Sequence, residues 1–413
     1  MRIVYSAAEA RAAVQSNKLA IILGVEMDSL SLSDIDTLYT MYGVRHIIPI
    51  HLADNGFGGT AEYDNTFNSN NHYLNGTWET ALWDDCLNFQ FDAGGLETIS
   101  FSPCPSSLSS GNCPNLQTMD PMTFQNIYGP PCSDPSSGVA VGFHGCGVRN
   151  PKGINSSAMA ALMSKPILLD VAHMSQQAAD ETLTLAEQFG FPVMDSHTGI
   201  RADDPNSCPV RQGVADFLVT ERSLPLSQAK RIAALRGVIG LGTAREPLGA
   251  GDGVNEWWAD YVSLQGVGFT QGKGVALGTD ANGLSWQIPH GNLDAGKVDY
   301  PLTVASSVAP PLSVETPALP MYTLGSRSFD FNGDGIAVYG MLPDFLGAVD
   351  NLAKAGGSVC DGGTCAANIG PMFHTAEDVI EMWELATTAS AKVPCGNSLQ
   401  CCSTVVDGSC LDE

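Results

Sequence analysis

Six short, almost wholly apolar segments set the main constraint on this chain. They occupy residues 19–25, 47–50, 166–171, 191–195, 237–241 and 274–278. None alternates polar with apolar residues, so a strand made from any of them must be covered on both faces. Between them lie stretches with helical spacing at residues 6–17, 32–43, 175–189, 226–235 and 257–267, and a last one follows at 375–391. In the second of these, Ser33 is the candidate N-cap and Gly43 the stop. Strands that alternate with helices in this way form parallel sheets, because each return to the sheet needs a crossover helix. The expected fold class is therefore α/β, built as a TIM-like (β/α)8 barrel spanning residues 1–391. Two long Gly/Pro/Asn/Ser-rich insertions, at about 52–150 and 285–330, and a Cys-rich tail at 392–413 complete the chain.

Charge narrows the partners. With 44 acidic against 19 basic residues the formal net charge is −25, which repels phosphate backbones and anionic headgroups. Nucleic acid and anionic membrane surfaces are poor partners for such a chain. No uninterrupted apolar run reaches the ~18 residues of a membrane span. The twelve cysteines are even in number, sit mostly in polar loop sequence and include no C-x-x-C pair. That usage implies disulfides and an oxidising compartment: a secreted protein, or one of the periplasm or cell envelope. The first residues lack the basic-then-apolar pattern of an export signal.

The chemistry gathers where the apolar segments end. Glu26 follows the first, His51 the second, His173 the third, His197 the fourth and Asp280 the sixth. Any one of them alone reads more simply as a structural histidine or a turn-capping aspartate. In a parallel barrel, however, the C-terminal strand ends meet at one mouth, so five such residues can share a coordination shell. Imidazoles with carboxylates suit zinc or a similar divalent ion, one or two per site. His46, His72, His144, His290 and His374 lie away from strand ends, and no role is assigned to them.

The motifs around these residues, in collinear order, are Leu-Gly-Val-Glu26, Gly-Val-Arg-His-Ile-Ile-Pro-Ile-His51, Asp170-Val-Ala-His173-Met-Ser, Asp195-Ser-His197-Thr, Glu221-Arg222-Ser-Leu-Pro and Leu-Gly-Thr-Asp280-Ala-Asn-Gly. From about residue 5 to about residue 390, the sequence resembles the membrane (renal) dipeptidase family, peptidase family M19, within the amidohydrolase superfamily. The resemblance implies that Glu26 bridges two metal ions, with His173 and His197 on one of them. It implies that Asp280 binds the other and handles the proton of the attacking water. It also implies that His51 stabilises the developing oxyanion and that Arg222 holds the substrate's carboxylate. The expected activity is hydrolysis of a small amide or dipeptide by a metal-activated water.

Two departures accompany the resemblance. The family's opening His-x-Asp motif is absent, and six strands are counted where a closed barrel has eight. On this reading the first two βα units are missing. They lie upstream or on a partner chain, or else the chain is a degenerate relative that serves as a non-catalytic secreted or envelope binding protein. Homodimerisation stays open. The stretch from Asp330 through Asn332 to Asp334 looks like the start of a calcium loop, but Met341 stands where the bidentate glutamate belongs, so a turn is expected there. No Gly-x-Ser-x-Gly nucleophile elbow occurs.

Overall fold

The computed structural model describes residues 1–62, 70–71, 74–76, 82–84, 147–201, 203, 220–244, 253–269, 273–281, 287–289, 296–302, 318–355, 369–394, 405–406 and 409–410. The cysteine side chains, and with them the expected disulfides, lie outside the described residues, as do most of the first insertion, half of the second and most of the tail.

Six strands form one sheet: β1 (Gly24–Glu26), β2 (His46–Ile48), β3 (Leu168–Asp170), β4 (Val193–Thr198), β5 (Ile239–Gly242) and β6 (Val275–Gly278). All neighbouring pairs are parallel and follow chain order. This is an α/β fold, as expected. The helices are α1 (Ala7–Gln15), α2 (Leu32–Thr40), α3 (Ser156–Met163), α4 (Gln176–Phe189), α5 (Leu226–Ala234), α6 (Gly253–Gly266), α7 (Leu342–Lys354) and α8 (Thr375–Ser390).

The apolar strand residues divide between two cores, which explains the absence of alternation. Ile47, Leu169, Val193, Ile239, Leu241 and Val275 belong to a large cluster shared with α2 to α7 and with Ala386 and Ala389 of α8. Leu168 and Val238 belong to a second cluster, with Met194 and Ala276 packed against it. That second core is filled by α1, through Ala7, Ala10 and Ala13, and by Ile380, Met382 and Trp383 of α8. Alanines three apart give α1 a flat face, so α8 approaches closely, and Arg11 pairs with both Glu377 and Glu384. Trp383 donates its indole N–H to the Pro166 carbonyl at 3.0 Å, just before β3. Thr375 donates to the Val275 carbonyl at 2.9 Å, and Asp378 accepts the Gly274 N–H at 2.8 Å. These contacts place α8 at the N-terminal ends of the strands, opposite the end that carries the ligands.

Two local readings are corrected, and two elements are added. The N-cap of α2 is Ser31 rather than Ser33, because Ser31 has the extended backbone of a cap and forms a reciprocal capping box with Asp34. Residues Arg2–Ile3, too short to show a period, pair in parallel with Ala20–Ile21, just before β1. Among the described residues no pairing joins this strand to β6. His46 is not off the sheet but opens β2. Helix α3 was not separated from loop sequence because its residues Ser-Ser-Ala-Met-Ala-Ala-Leu-Met are apolar all round and show no amphipathic period. Asp330 caps a one-turn helix at Phe331–Asp334 and accepts the Asn332 N–H, so that motif is the turn the sequence suggests.

Candidate metal centre

All five strand-end residues come together at the C-terminal ends of the strands. Glu26 is the last residue of β1 and His197 the last but one of β4. His51, His173 and Asp280 follow β2, β3 and β6 within three positions. Glu26 Oε1 lies 3.1 Å from His173 Nε2, 3.5 Å from His197 Nε2 and 3.7 Å from His51 Nε2. The two Nε2 atoms of His173 and His197 are 2.9 Å apart. Two overlapping ligand sets result, one of Glu26, His51 and His173 and one of Glu26, His197 and Asp280, each with donor atoms within 4.8 Å of one another.

The backbone is strained at two of these residues. His173 has φ 65° and Asp280 φ 40°, both in the left-handed region. The other two non-glycine residues there, Asn17 and Arg236, simply end α1 and α5, where that conformation is ordinary. His173 and Asp280 end no helix, and such strain persists only where surrounding contacts over-determine it. Those contacts are present. Thr60 Oγ1 hydrogen-bonds the His51 carbonyl and lies 3.2 Å from the His173 carbonyl, which also accepts the Ala61 N–H at 2.8 Å. Around Asp280, Gln287 donates to the Thr279 carbonyl at 2.9 Å and the Tyr339 hydroxyl donates to the Ala281 carbonyl.

Further residues fix the rings. Asp28 lies 3.3 Å from His51 Nδ1 and so turns Nε2 toward Glu26. Ser196 Oγ is 2.8 Å from His197 Nδ1, leaving Nε2 to face the site. His173 Nδ1, by contrast, is buried with no hydrogen-bond partner among the described residues, so its ring is placed by the strained backbone instead. Arg222 donates from Nη2 to the His197 carbonyl, and its Nη1 is 4.0 Å from Asp195 Oδ1. Beside it, the buried Glu221 accepts the backbone N–H groups of Glu62, Asn150 and Gln176 at 2.6, 2.9 and 2.9 Å, tying together the loops that carry His51, His173 and Arg222. Asp28, Thr60, Ser196 and Glu221 are given no role by the sequence, although Ser196 and Glu221 stand inside its motifs. Asp28 and Ser196 stand within two positions of a ligand, the one signal that pointed to them.

Burial governs the electrostatics. It holds His173 well below the usual imidazole range, helped by the positive Arg222, and it lowers His197 to about 3 for the same two reasons. Both imidazoles are therefore neutral at pH 7 with lone pairs available. Burial also raises Glu26 above the ordinary carboxylate range, with His51 opposing and Asp280 adding to the shift. Asp195 is pushed up to about 7 by burial in spite of Arg222, and Glu221 to about 8 in spite of its three N–H donors.

These residues fit a divalent ion. Glu26 Oε1 is buried and has no hydrogen-bond donor among the described residues, although two imidazole nitrogens stand within 3.5 Å of it. A carboxylate oxygen and two neutral imidazole nitrogens converging on one point can each offer a lone pair to the same cation. A four-coordinate ion with bonds of about 2.1 Å holds its donors roughly 3.4 Å apart, close to the three separations seen.

No family model and no curated protein matches the chain. Solved structures do. A metallo peptidase from Rhodobacter sphaeroides, liganded with a phosphinate mimic of the dipeptide L-Ala-D-Ala, is 14% identical, with a TM-score of 0.38 over 70% of this chain and 57% of its own. The dipeptidase AC, a metallo peptidase of family M19, is 15% identical, with a TM-score of 0.38 over 70% of this chain and 59% of its own. An amidohydrolase from Pseudomonas aeruginosa is 12% identical, with a TM-score of 0.40 over 94% of this chain and 79% of its own. The chain thus spans less than two thirds of the length of the first two. At these scores the likeness is slight, and the functional reading rests on the side chains.

Proposed function

We propose that this chain is a metal-dependent hydrolase of small amides, acting on dipeptides or closely related substrates. The observation that carries the reading is the convergence of Glu26 Oε1, His173 Nε2 and His197 Nε2 within 3.5 Å of one another, at a point where the backbone is strained. The consecutive parallel strand order supports a barrel of the (β/α)8 kind as the scaffold. The motif resemblance supports the choice of reaction. The twelve cysteines support a place outside the cytoplasm.

Glu26, His173 and His197 would hold the ion, with Asp280 placed to share it or a second one. A bound zinc-like ion supplies a more acidic water and a polarised substrate carbonyl. The remaining work falls to this chain's own groups. Asp280, which shares a ligand set with Glu26 and His197, would take a proton from the attacking water and pass it to the leaving nitrogen. His51, fixed at Nδ1 by Asp28, points Nε2 into the site, where it meets the oxygen that gains charge. Arg222 supplies a positive guanidinium for a free substrate carboxylate.

Elemental analysis of protein purified without chelator, combined with a dipeptide hydrolysis assay, tests the reading. It predicts one or two zinc-like ions per chain and hydrolysis that falls at least about 100-fold in a His173→Ala, His197→Ala double variant. Absence of a transition metal, or full activity in the double variant, would contradict it. Metal binding without hydrolysis of any dipeptide would favour the binding-protein alternative.

A further inference from the structure

The second residue of the pair formed by His46 and Asp170 is wholly buried, yet neither belongs to the ligand set. His46 opens β2 and its Nε2 lies 2.7 Å from Asp170 Oδ2, at the end of β3. The other oxygen of Asp170 accepts the backbone N–H groups of Ala172 at 2.9 Å and Ser196 at 3.1 Å. Ala172 precedes His173, and Ser196 precedes His197 and also meets its ring at Nδ1, 2.8 Å away. A chain of contacts thus runs from His46 through Asp170 to the peptide segments that carry both ligating imidazoles. Room for the His46 ring is provided by Gly24 of β1, where a Cβ would stand 2.7 Å from His46 Nδ1. The buried carboxylate of Asp170 is kept below its ordinary range. Burial alone would raise it, but the His46 hydrogen bond and charge, with the Ser196 contact, outweigh that effect.

We propose that His46 is a positioning residue of the metal centre, donating to Asp170 so that this carboxylate locks the ends of β3 and β4, and with them His173 and His197, in ligating register. The inference rests on the metal-site reading above and goes beyond it in naming a residue that touches neither ion nor substrate. His46 lies at the opposite end of β2 from His51, so it acts only through Asp170.

The experiment measures zinc affinity by competition with a chromophoric chelator, together with the visible spectrum of the cobalt-loaded protein. His46→Leu removes the donor and His46→Gln keeps an N–H at similar reach. Ser196→Ala deletes only a hydroxyl, and Glu26→Gln is the control for a lost ligand. The expected result is a weakening of about 10- to 100-fold for His46→Leu, near recovery in His46→Gln, and an altered cobalt spectrum in the Leu variant. Effects of His46→Leu and Ser196→Ala should be less than additive, because both act on His197. Zinc binding in His46→Leu within about twofold of wild type, while Glu26→Gln loses zinc, would overturn the proposal and leave the metal site standing. If wild type binds no zinc, both fall together. Should His46→Leu fail to fold, Asp170→Asn decides, since it removes the carboxylate through which His46 acts: unchanged zinc affinity there overturns the chain of contacts.

Discussion

His173 holds φ at 65° and Asp280 at 40°, and neither has the excuse of ending a helix. Left-handed backbone costs a non-glycine residue roughly 1–2 kcal/mol. At His173 the cost can be read directly by comparing two variants that both lack the imidazole. In metal-free protein, His173→Gly should be more stable than His173→Ala by about 1 kcal/mol, measured by urea unfolding, the reverse of the usual order for these residues away from turns. Equal stability would mean that the conformation is not strained. The protonation of the same residues gives a second prediction. His173 and His197 have folded values depressed below the unfolded 6.5, His197 to about 3. Between those limits the unfolded chain binds the extra protons, so this contribution is complete above about pH 6.5 and is lost as pH falls toward 3. In the presence of chelator, the stability of wild type relative to the His173→Ala, His197→Ala variant should therefore fall between pH 7.5 and pH 4.5. A constant difference would show that the imidazoles are not held neutral. The ligands were legible because each stands just past an apolar run. Asp28, Thr60 and Glu221 were not, since a loop carboxylate or hydroxyl has no sequence period and gains its role only when distant segments meet.

At the level of elements, the strands were legible from their unbroken apolar character and most helices from their period. What stayed hidden was local. The two-residue strand Arg2–Ile3 is too short to show a period, and the capping box of α2 begins two residues earlier than the sequence suggests. The packing of α8 across the N-terminal strand ends was also hidden, because a helix pattern does not say which end of a sheet it covers. That packing centres on Trp383, which is 1% exposed and has its indole N–H satisfied by Pro166. Trp383→Ala should destabilise by about 3–5 kcal/mol. Because the helix lies at the opposite end of the strands from the ligands, zinc affinity of the fraction that remains folded should stay within about threefold of wild type. Chemical denaturation and zinc competition on the same sample check both halves. Close packing of β4 on β5 adds to the rigidity at the ligand end, where a Cβ on Gly240 would stand 1.8 Å from the Ser196 carbonyl, so glycine is required beside His197.

Across the whole molecule, strand order converts sequence separation into proximity. Glu26 and Asp280 are more than 250 positions apart in the chain, yet they share a ligand set because six parallel strands point their ends the same way. One apolar cluster, with α2 to α8, and a second, with α1 and α8, bury strand residues on both faces of the sheet, which makes those ends a rigid frame for a coordination site. The central claim is that this frame binds a divalent ion between Glu26, His173 and His197. Anomalous diffraction from zinc-soaked crystals, collected on both sides of the metal absorption edge, tests it most directly. The account predicts a peak about 2.0–2.2 Å from Glu26 Oε1, His173 Nε2 and His197 Nε2. A peak elsewhere on the chain with none between these three residues, or no peak at all, would contradict it.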